Sequence, residues 1–379
     1  MPRADRHAAA SDIIGWDLGG AHLKAARVDA AGAAQKVVQL PCRLWMGIGE
    51  LDRAIDTALQ QLGPCQRHAV TMTGELADLF ADRRAGVASL TATLRRKLRG
   101  ASMLVYAGPK GLVVPADATR LYDSVASANF LASAEAVAAS VPDALFVDLG
   151  STTADLIPIR DGMPRPRGLT DFERLASDEL VYTGVARTPV MAVAQQVPVG
   201  GAWRSVMAEY FATMADVHRL AGDLPRGADL MPTADNRGRS PADSARRLAR
   251  MVGADADAHP RAAWVALARF LSARQLAQLE RAARRVLAEG AIGADAPVIG
   301  AGVGRFLVKR LAALLGRPYR DAGTIFSTTG LREGVARCLP AVAVAVLAAR
   351  RKAWRTASSR TGSSASVRPR AQSAPRKPR

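Results

Sequence analysis

The densest usable chemistry in the chain lies between Phe146 and Leu156, FVDLGSTTADL. An apolar run through Phe146 and Val147 turns at Asp148-Leu149-Gly150-Ser151-Thr152-Thr153 and returns through Leu156, Ile157 and Ile159. That pattern predicts a β-hairpin with an acidic, hydroxyl-rich tip. Gly150 permits a backbone geometry closed to other residues, so the amides and hydroxyls of Ser151, Thr152 and Thr153 can converge on phosphate oxygens. Asp148 and Asp155 stand at the rim, where carboxylates can hold a hydrated Mg²⁺. Gly-Ser-Thr tips are also ordinary turns, so this motif alone does not decide.

A second copy strengthens the phosphate reading. Ile13 to Val28, IIGWDLGGAHLKAARV, repeats the plan of strand, Asp-Leu-Gly turn and returning strand about 130 residues earlier, with Asp17, Gly19, Gly20 and Lys24 in the turn region. Two such hairpins suggest a duplicated domain with a cleft between the halves. A third stretch, Val298 to Arg305, carries Gly300, Gly302 and Gly304 ahead of an apolar helix from Phe306 to Leu315. Glycines there would let a nucleotide or other flat ligand approach the backbone.

In this order the three segments resemble the phosphate-1, phosphate-2 and adenosine segments of the actin, sugar-kinase and Hsp70 superfamily, in its hydantoinase A and oxoprolinase branch. GWDLGGAHLKAA, MTGELADLF (Met72 to Phe80), ANFLASA (Ala128 to Ala134) and ELVYTGVARTPV (Glu179 to Val190) are similar to the archaeal methanofuran-biosynthesis synthases and their bacterial relatives. The resemblance covers about residues 12 to 349. It implies an α/β fold of duplicated actin-like (ribonuclease H-like) domains with an interdomain cleft and a helical insertion. The activity it implies joins an aminomethyl-furanmethanol diphosphate to the phenol of γ-glutamyltyramine, or a tyrosine-derived analogue, and releases pyrophosphate. The relatives serve tetrahydromethanopterin-linked one-carbon transfer.

Carried onto this chain, the reading makes Asp17, Lys24, Glu75 and Asp148 catalytic. Gly19, Gly20, Gly150, Ser151, Thr152, Thr153, Gly300, Gly302 and Gly304 become phosphate-binding, and Asp17, Asp148 and Asp155 ligands of Mg²⁺. Lys24 would neutralise the diphosphate, and Glu75 would take the phenolic proton, since burial raises a carboxylate's pKa toward neutrality. Two alternatives stand beside it. One is an ATP-dependent hydantoinase-like hydrolase or kinase, favoured by the glycines at 300 to 304 and disfavoured by Ala21 and His22 where hydroxyl residues are common. The other is a non-catalytic nucleotide-binding assembly factor.

The elements that must position these groups follow from length and patterning. The 379 residues, 49% of them apolar, suffice for two domains. We expect a first domain over 12–135, completed by the helix 334–349 with Pro340 bending it or marking its first turn. A second domain is expected over 140–330, with an insertion at about 188–260. Leu51, Ile55, Leu59 and Leu62 predict a helix over 50–62. Glu75 and Asp78 share a face if a helix opens at Glu75. Asn129 sits within a small-residue helix, Ser124 to Ala139, and could face the gap. In the insertion, Trp203 to Leu220 reads as a helix with Glu209 and Asp216 two turns apart on one face, followed by a basic helix carrying Arg246, Arg247 and Arg250. These acids and arginines form either a structural ion-pair set or a diphosphate grip. Asp78, Asn129, Glu209, Asp216 and Arg247 are therefore taken as substrate-binding.

The formal charge of +18 is concentrated at the C-terminus, where ten Lys and Arg without an acid follow Ala349 and leave +8 on the body. Residues 353–379 read as a solvated low-complexity tail and 1–11 as a disordered N-terminus, so no specific nucleic-acid partner is expected. Cys42, Cys65 and Cys338 have no metal-type spacing. No signal peptide or long apolar run is found, which points to the cytoplasm, small-molecule diphosphate and phenolic amine partners, and no membrane. An oligomer is compatible with the sequence.

Overall fold

A computed structural model describes residues 12–326 and 330–351. The expectations for both terminal segments fall outside these residues. The architecture is two α/β units, each built on a sheet of the same plan. The first sheet has the order β3-β2-β1-β4-β5-β6, from β1 (Ile13–Leu18), β2 (His22–Val28), β3 (Ala34–Pro41), β4 (Arg67–Met72), β5 (Ser102–Tyr106) and β6 (Leu112–Val113). The second has the order β10-β8-β7-β13-β14, from β7 (Ala144–Leu149), β8 (Ala154–Arg160), β10 (Leu180–Val181), β13 (Val298–Ala301) and β14 (Tyr319–Asp321), with β9 (Met163–Pro164) pairing β8. In each, the first strand pairs antiparallel with its hairpin partner and parallel with the next strand inward. This repeated plan is the duplicated actin-like arrangement.

The parallel strands are nearly continuous apolar runs because helices cover them. The helices are α1 (Ile48–Leu62), α2 (Arg83–Lys97), α3 (Asn129–Ala138), α4 (Asp171–Ala176), α5 (Met214–Ala221), α6 (Pro241–Arg250), α7 (Arg261–Gly290), α8 (Arg305–Leu314) and α9 (Leu339–Ala349). Among the described residues none is long and apolar enough to cross a membrane. α9 is apolar all round and packs on β1, β2 and β4, with α3 against its other side. Pro340 lies in its first turn, where a missing N–H costs nothing. One buried cluster runs from Ile13 and Ala26 through Ala132 and Val344 to Phe146 and Ile299, so the two sheets share a core. The hairpin tips project from that shared core.

Three local expectations are corrected. Glu75 does not open a helix: Gly74–Leu76 is a single 3₁₀ turn, and α2 starts only after Asp82, whose side chain accepts from the Ala85 amide. The chain from Ser124 to Ala139 is broken at Ala126–Ala128, so Asn129 is the first residue of α3 and not a mid-helix residue. Trp203 to Leu220 is not one helix, because β11 (Gln196–Val199) and β12 (Ala202–Ser205) form a hairpin and only Met214–Ala221 is helical.

Candidate active site

The two hairpins point their tips into one cleft of about 570 Å³. Asp17, Gly19, Gly20 and Lys24 line it from the first unit, with Asp148, Gly150, Ser151, Thr152, Thr153 and Asp155 facing them from the second. The tips close alike: the Gly19 amide donates to the His22 carbonyl at 3.1 Å and the Gly150 amide to the Thr153 carbonyl at 2.8 Å. Asp78, Asn129 and Gly302 also line the cleft.

Antiparallel register decides what each aspartate meets. Asp17 lies directly opposite Lys24, and their side chains pair at 3.3 Å. Asp148, its counterpart, lies opposite Asp155. Asp155 is neutralised from elsewhere by Arg174, at 2.5 Å, and that guanidinium also sits over the Phe130 ring at 3.5 Å. Asp148 has no ion pair of its own among the described residues. Burial pushes its pKa up to about 7, against the pull of Lys24 and helped by the repulsion of Asp155 and Asp17. Burial raises Asp17 too, against the attraction of Lys24. For Lys24, burial alone would lower the pKa, but Asp17 and Asp148 outweigh it and hold the ammonium charged.

The three-aspartate metal set is thereby corrected. Asp17 is occupied by Lys24 and Asp155 by Arg174, and among the described residues no three acid, His or Cys side chains converge to hold an ion. The donors left over are Asp148 and the unpartnered Asp17 Oδ1, a set that would suit a Mg²⁺ ion bringing most of its ligands as water and substrate phosphate.

Five other expected site residues stand elsewhere. Gly300 is inside β13, where a Cβ would meet the Tyr319 ring at 2.6 Å, and a Cβ at Gly304 would come within 2.4 Å of the Leu149 side chain, so both are packing glycines. Gly302 differs: its φ is +81°, and a Cβ would strike the Leu149 carbonyl oxygen and the Asp148 carboxylate. Asp216 and Arg247 are buried in the insertion, where Asp216 accepts from Arg247 at 2.6 and 2.9 Å, from Arg219 at 3.1 Å and from Ser244 at 2.9 Å. They hold α5 and α6 together and line no part of the cleft. Glu209 is exposed in the loop before α5 and is likewise absent from the cleft wall.

Glu75 is also displaced from its expected role. It is 1% exposed and lies behind the wall, reaching the cleft only through Ser127, whose hydroxyl is 3.0 Å from Glu75 Oε1.

Sequence reasoning missed Trp45, Ser127, Asp171, Arg174, Tyr182 and Arg187, all of which line the cleft. Arg187 donates to Thr152 Oγ1 at 3.2 Å and stacks on Trp45, 5.3 Å from the ring centroid, across the cleft. No carboxylate pairs with it among the described residues. Its signal was present, since Tyr182 and Arg187 both lie in the quoted segment ELVYTGVARTPV. His22, at the first tip, is held neutral by burial and by neighbouring Lys24 and Arg187, with its pKa lowered to about 3.

The profile of the hydantoinase/oxoprolinase family matches residues 66–331. The chain belongs to the hydantoinase/oxoprolinase family. Within known proteins it is similar to the (4-{4-[2-(γ-L-glutamylamino)ethyl]phenoxymethyl}furan-2-yl)methanamine synthase of Methanocaldococcus jannaschii, with 29% identity over 244 residues, 64% of this chain and 72% of that one. The synthase of the same name from Methanococcus vannielii is 35% identical over 107 residues, 28% of this chain and 46% of that one. A solved structure, the ethanolamine utilization protein EutJ of Carboxydothermus hydrogenoformans, is similar at a TM-score of 0.45 with 12% identity, covering 90% of this chain and 93% of that one.

Proposed function

We propose that this hydantoinase/oxoprolinase-family protein is a transferase that joins an aminomethyl-furanmethanol diphosphate to the phenol of γ-glutamyltyramine or a tyrosine-derived analogue, releasing pyrophosphate. The observation that carries this reading is Arg187, a cleft guanidinium that has no carboxylate partner among the described residues and leans on the hydroxyl turn of the second hairpin. A planar guanidinium beside hydroxyls and amides suits the oxygens of a diphosphate. The names of the similar synthases supply the aryl-ether chemistry, and the exposed rings of Trp45 (42%) and Tyr182 (64%) offer flat apolar surface for a furan and a phenol.

The work divides among the chain's own groups. Arg187, Thr152 and Ser151 hold the leaving diphosphate, and Lys24 adds positive charge from the facing hairpin. Charge that develops on the departing oxygens is met by donors already in place, so little reorganisation is required as the C–O bond breaks. Mg²⁺, taken up at Asp148 with the diphosphate, would supply further neutralisation of the leaving group. Trp45 and Tyr182 orient the rings so that the phenol oxygen faces the furfuryl carbon. A cytoplasmic place in methanofuran-type cofactor formation for tetrahydromethanopterin-linked one-carbon transfer belongs to the same proposal.

Arg187→Ala tests the reading. Pyrophosphate release and ether mass should fall about 10²- to 10³-fold while the thermal melt stays close to wild type, the magnitude expected for losing one donor to a developing anion. An unchanged rate would sink the assignment of the diphosphate to this turn.

A further inference from the structure

Ser127 holds a conformation that calls for a reason. Its φ is +53°, a left-handed setting uncommon for a side-chain-bearing residue, and it interrupts the chain immediately before α3. The setting puts Ser127 Oγ between two carboxyl groups, 3.0 Å from Glu75 Oε1 and 3.1 Å from Asp171 Oδ2. A hydroxyl has one proton and can donate to only one of them. The remaining contact is satisfied when the other carboxyl carries a proton and donates to Oγ.

The surroundings say which one is neutral. Glu75 is buried, its Oε2 has no hydrogen-bond partner, and burial raises its pKa. Asp171 instead receives Arg83 on Oδ2 at 2.8 Å and lines the cleft. The chain of donation therefore runs from the Glu75 carboxylic acid to Ser127 and from Ser127 to the Asp171 carboxylate. Asp171 Oδ1 has no hydrogen-bond partner among the described residues and is left to accept from a ligand.

On the transferase reading, we propose that Asp171 is the base that takes the phenolic proton, with Ser127 and Arg83 as positioning residues and Glu75 as a neutral acid behind them. The phenol O–H gives its proton to Asp171 Oδ1 as the phenol oxygen forms a bond to the furfuryl carbon. The bond from that carbon to the diphosphate oxygen breaks, and its electron pair leaves with pyrophosphate. Asp171 then returns the proton to solvent, and nothing is oxidised or reduced.

The test uses γ-glutamyltyramine and ring-fluorinated analogues of increasing phenol acidity with wild type, Asp171→Asn and Ser127→Gly. Glycine accepts the left-handed backbone of residue 127, so that variant keeps the fold while losing Oγ. Asp171→Asn should lose about 10²- to 10⁴-fold with the parent phenol, the usual contribution of a general base. The deficit should shrink steadily as the phenol becomes more acidic, and Ser127→Gly should show a smaller deficit with the same trend. A deficit equal for all phenols in both variants, or a rate within a few-fold of wild type, overturns the inference and leaves the transferase reading standing. Wild-type protein that makes no ether from any phenol overturns the transferase reading and this inference together.

Discussion

The two hairpins descend from one plan and differ in one cross-strand pair. Asp17 faces Lys24, whereas Asp148 faces Asp155. The first hairpin neutralises itself, so its acid is a structural partner for a cation that leans into the cleft. The second must import Arg174 for Asp155 and leaves Asp148 without an ion partner, beside a tip rich in hydroxyls where the first has glycine, alanine and a neutral histidine. Matching motif positions therefore sit in different electrostatic surroundings: the aspartate without an ion pair among the described residues belongs to the second hairpin.

That comparison can be broken most forcefully at Lys24. Lys24→Met strands the buried Asp17 carboxylate, and the expected loss is about 3–5 kcal/mol in urea unfolding, the cost of removing one partner of a buried pair. Adding Asp17→Asn should recover part of it, because the uncompensated charge is gone. Equal stability of the single and double variants would show that the two side chains do not depend on each other.

The counterpart change has the opposite sign. The pKa of Asp148 is raised from an ordinary 3.8 to about 7 in the folded chain. The folded state therefore binds this proton more tightly than the unfolded one, and the contribution is fully present below the unfolded pKa and lost as pH rises through about 7. Asp148→Asn should accordingly stabilise the protein on the order of 1–3 kcal/mol at pH 8 and do little at pH 4, read by thermal melts at both pH values. Destabilisation at pH 8 would mean that the charged Asp148 is ion-paired as Asp17 is. The smallest effect is expected from Ser151→Ala with Thr152→Val, which gives the second tip the character of the first. Pyrophosphate release should fall about tenfold, as expected for losing about 1.4 kcal/mol of hydrogen bonding to the diphosphate.

The hairpins were legible in the sequence because they are local: apolar runs flank Asp-Leu-Gly at short range, and the period fixes the pairing. Their difference was legible too, in Lys24 and Asp155, but it acquires meaning only once register sets those residues opposite the aspartates. The insertion was misread for a local reason and a distant one. Gly200 and Gly201, both at positive φ, mark the tight turn of the β11–β12 hairpin, a signal stronger than the helical spacing of Glu209 and Asp216. That Asp216 and Arg247 satisfy each other, whereas Arg187 pairs with no acid among the described residues, depends on contacts across tens of residues that no spacing rule encodes. Glu75 was misplaced because the capping signal at Asp82 was passed over, and the true start of α2 puts the glutamate behind Ser127.

The most direct measurement is pyrophosphate release together with mass detection of the aryl ether, using purified protein, Mg²⁺, the furfuryl diphosphate and γ-glutamyltyramine, with and without ATP. The account predicts ether and pyrophosphate in equal amounts and no dependence on ATP. Failure to form ether, with ATP hydrolysed on addition of a lactam, would contradict it and assign the cleft to nucleotide chemistry.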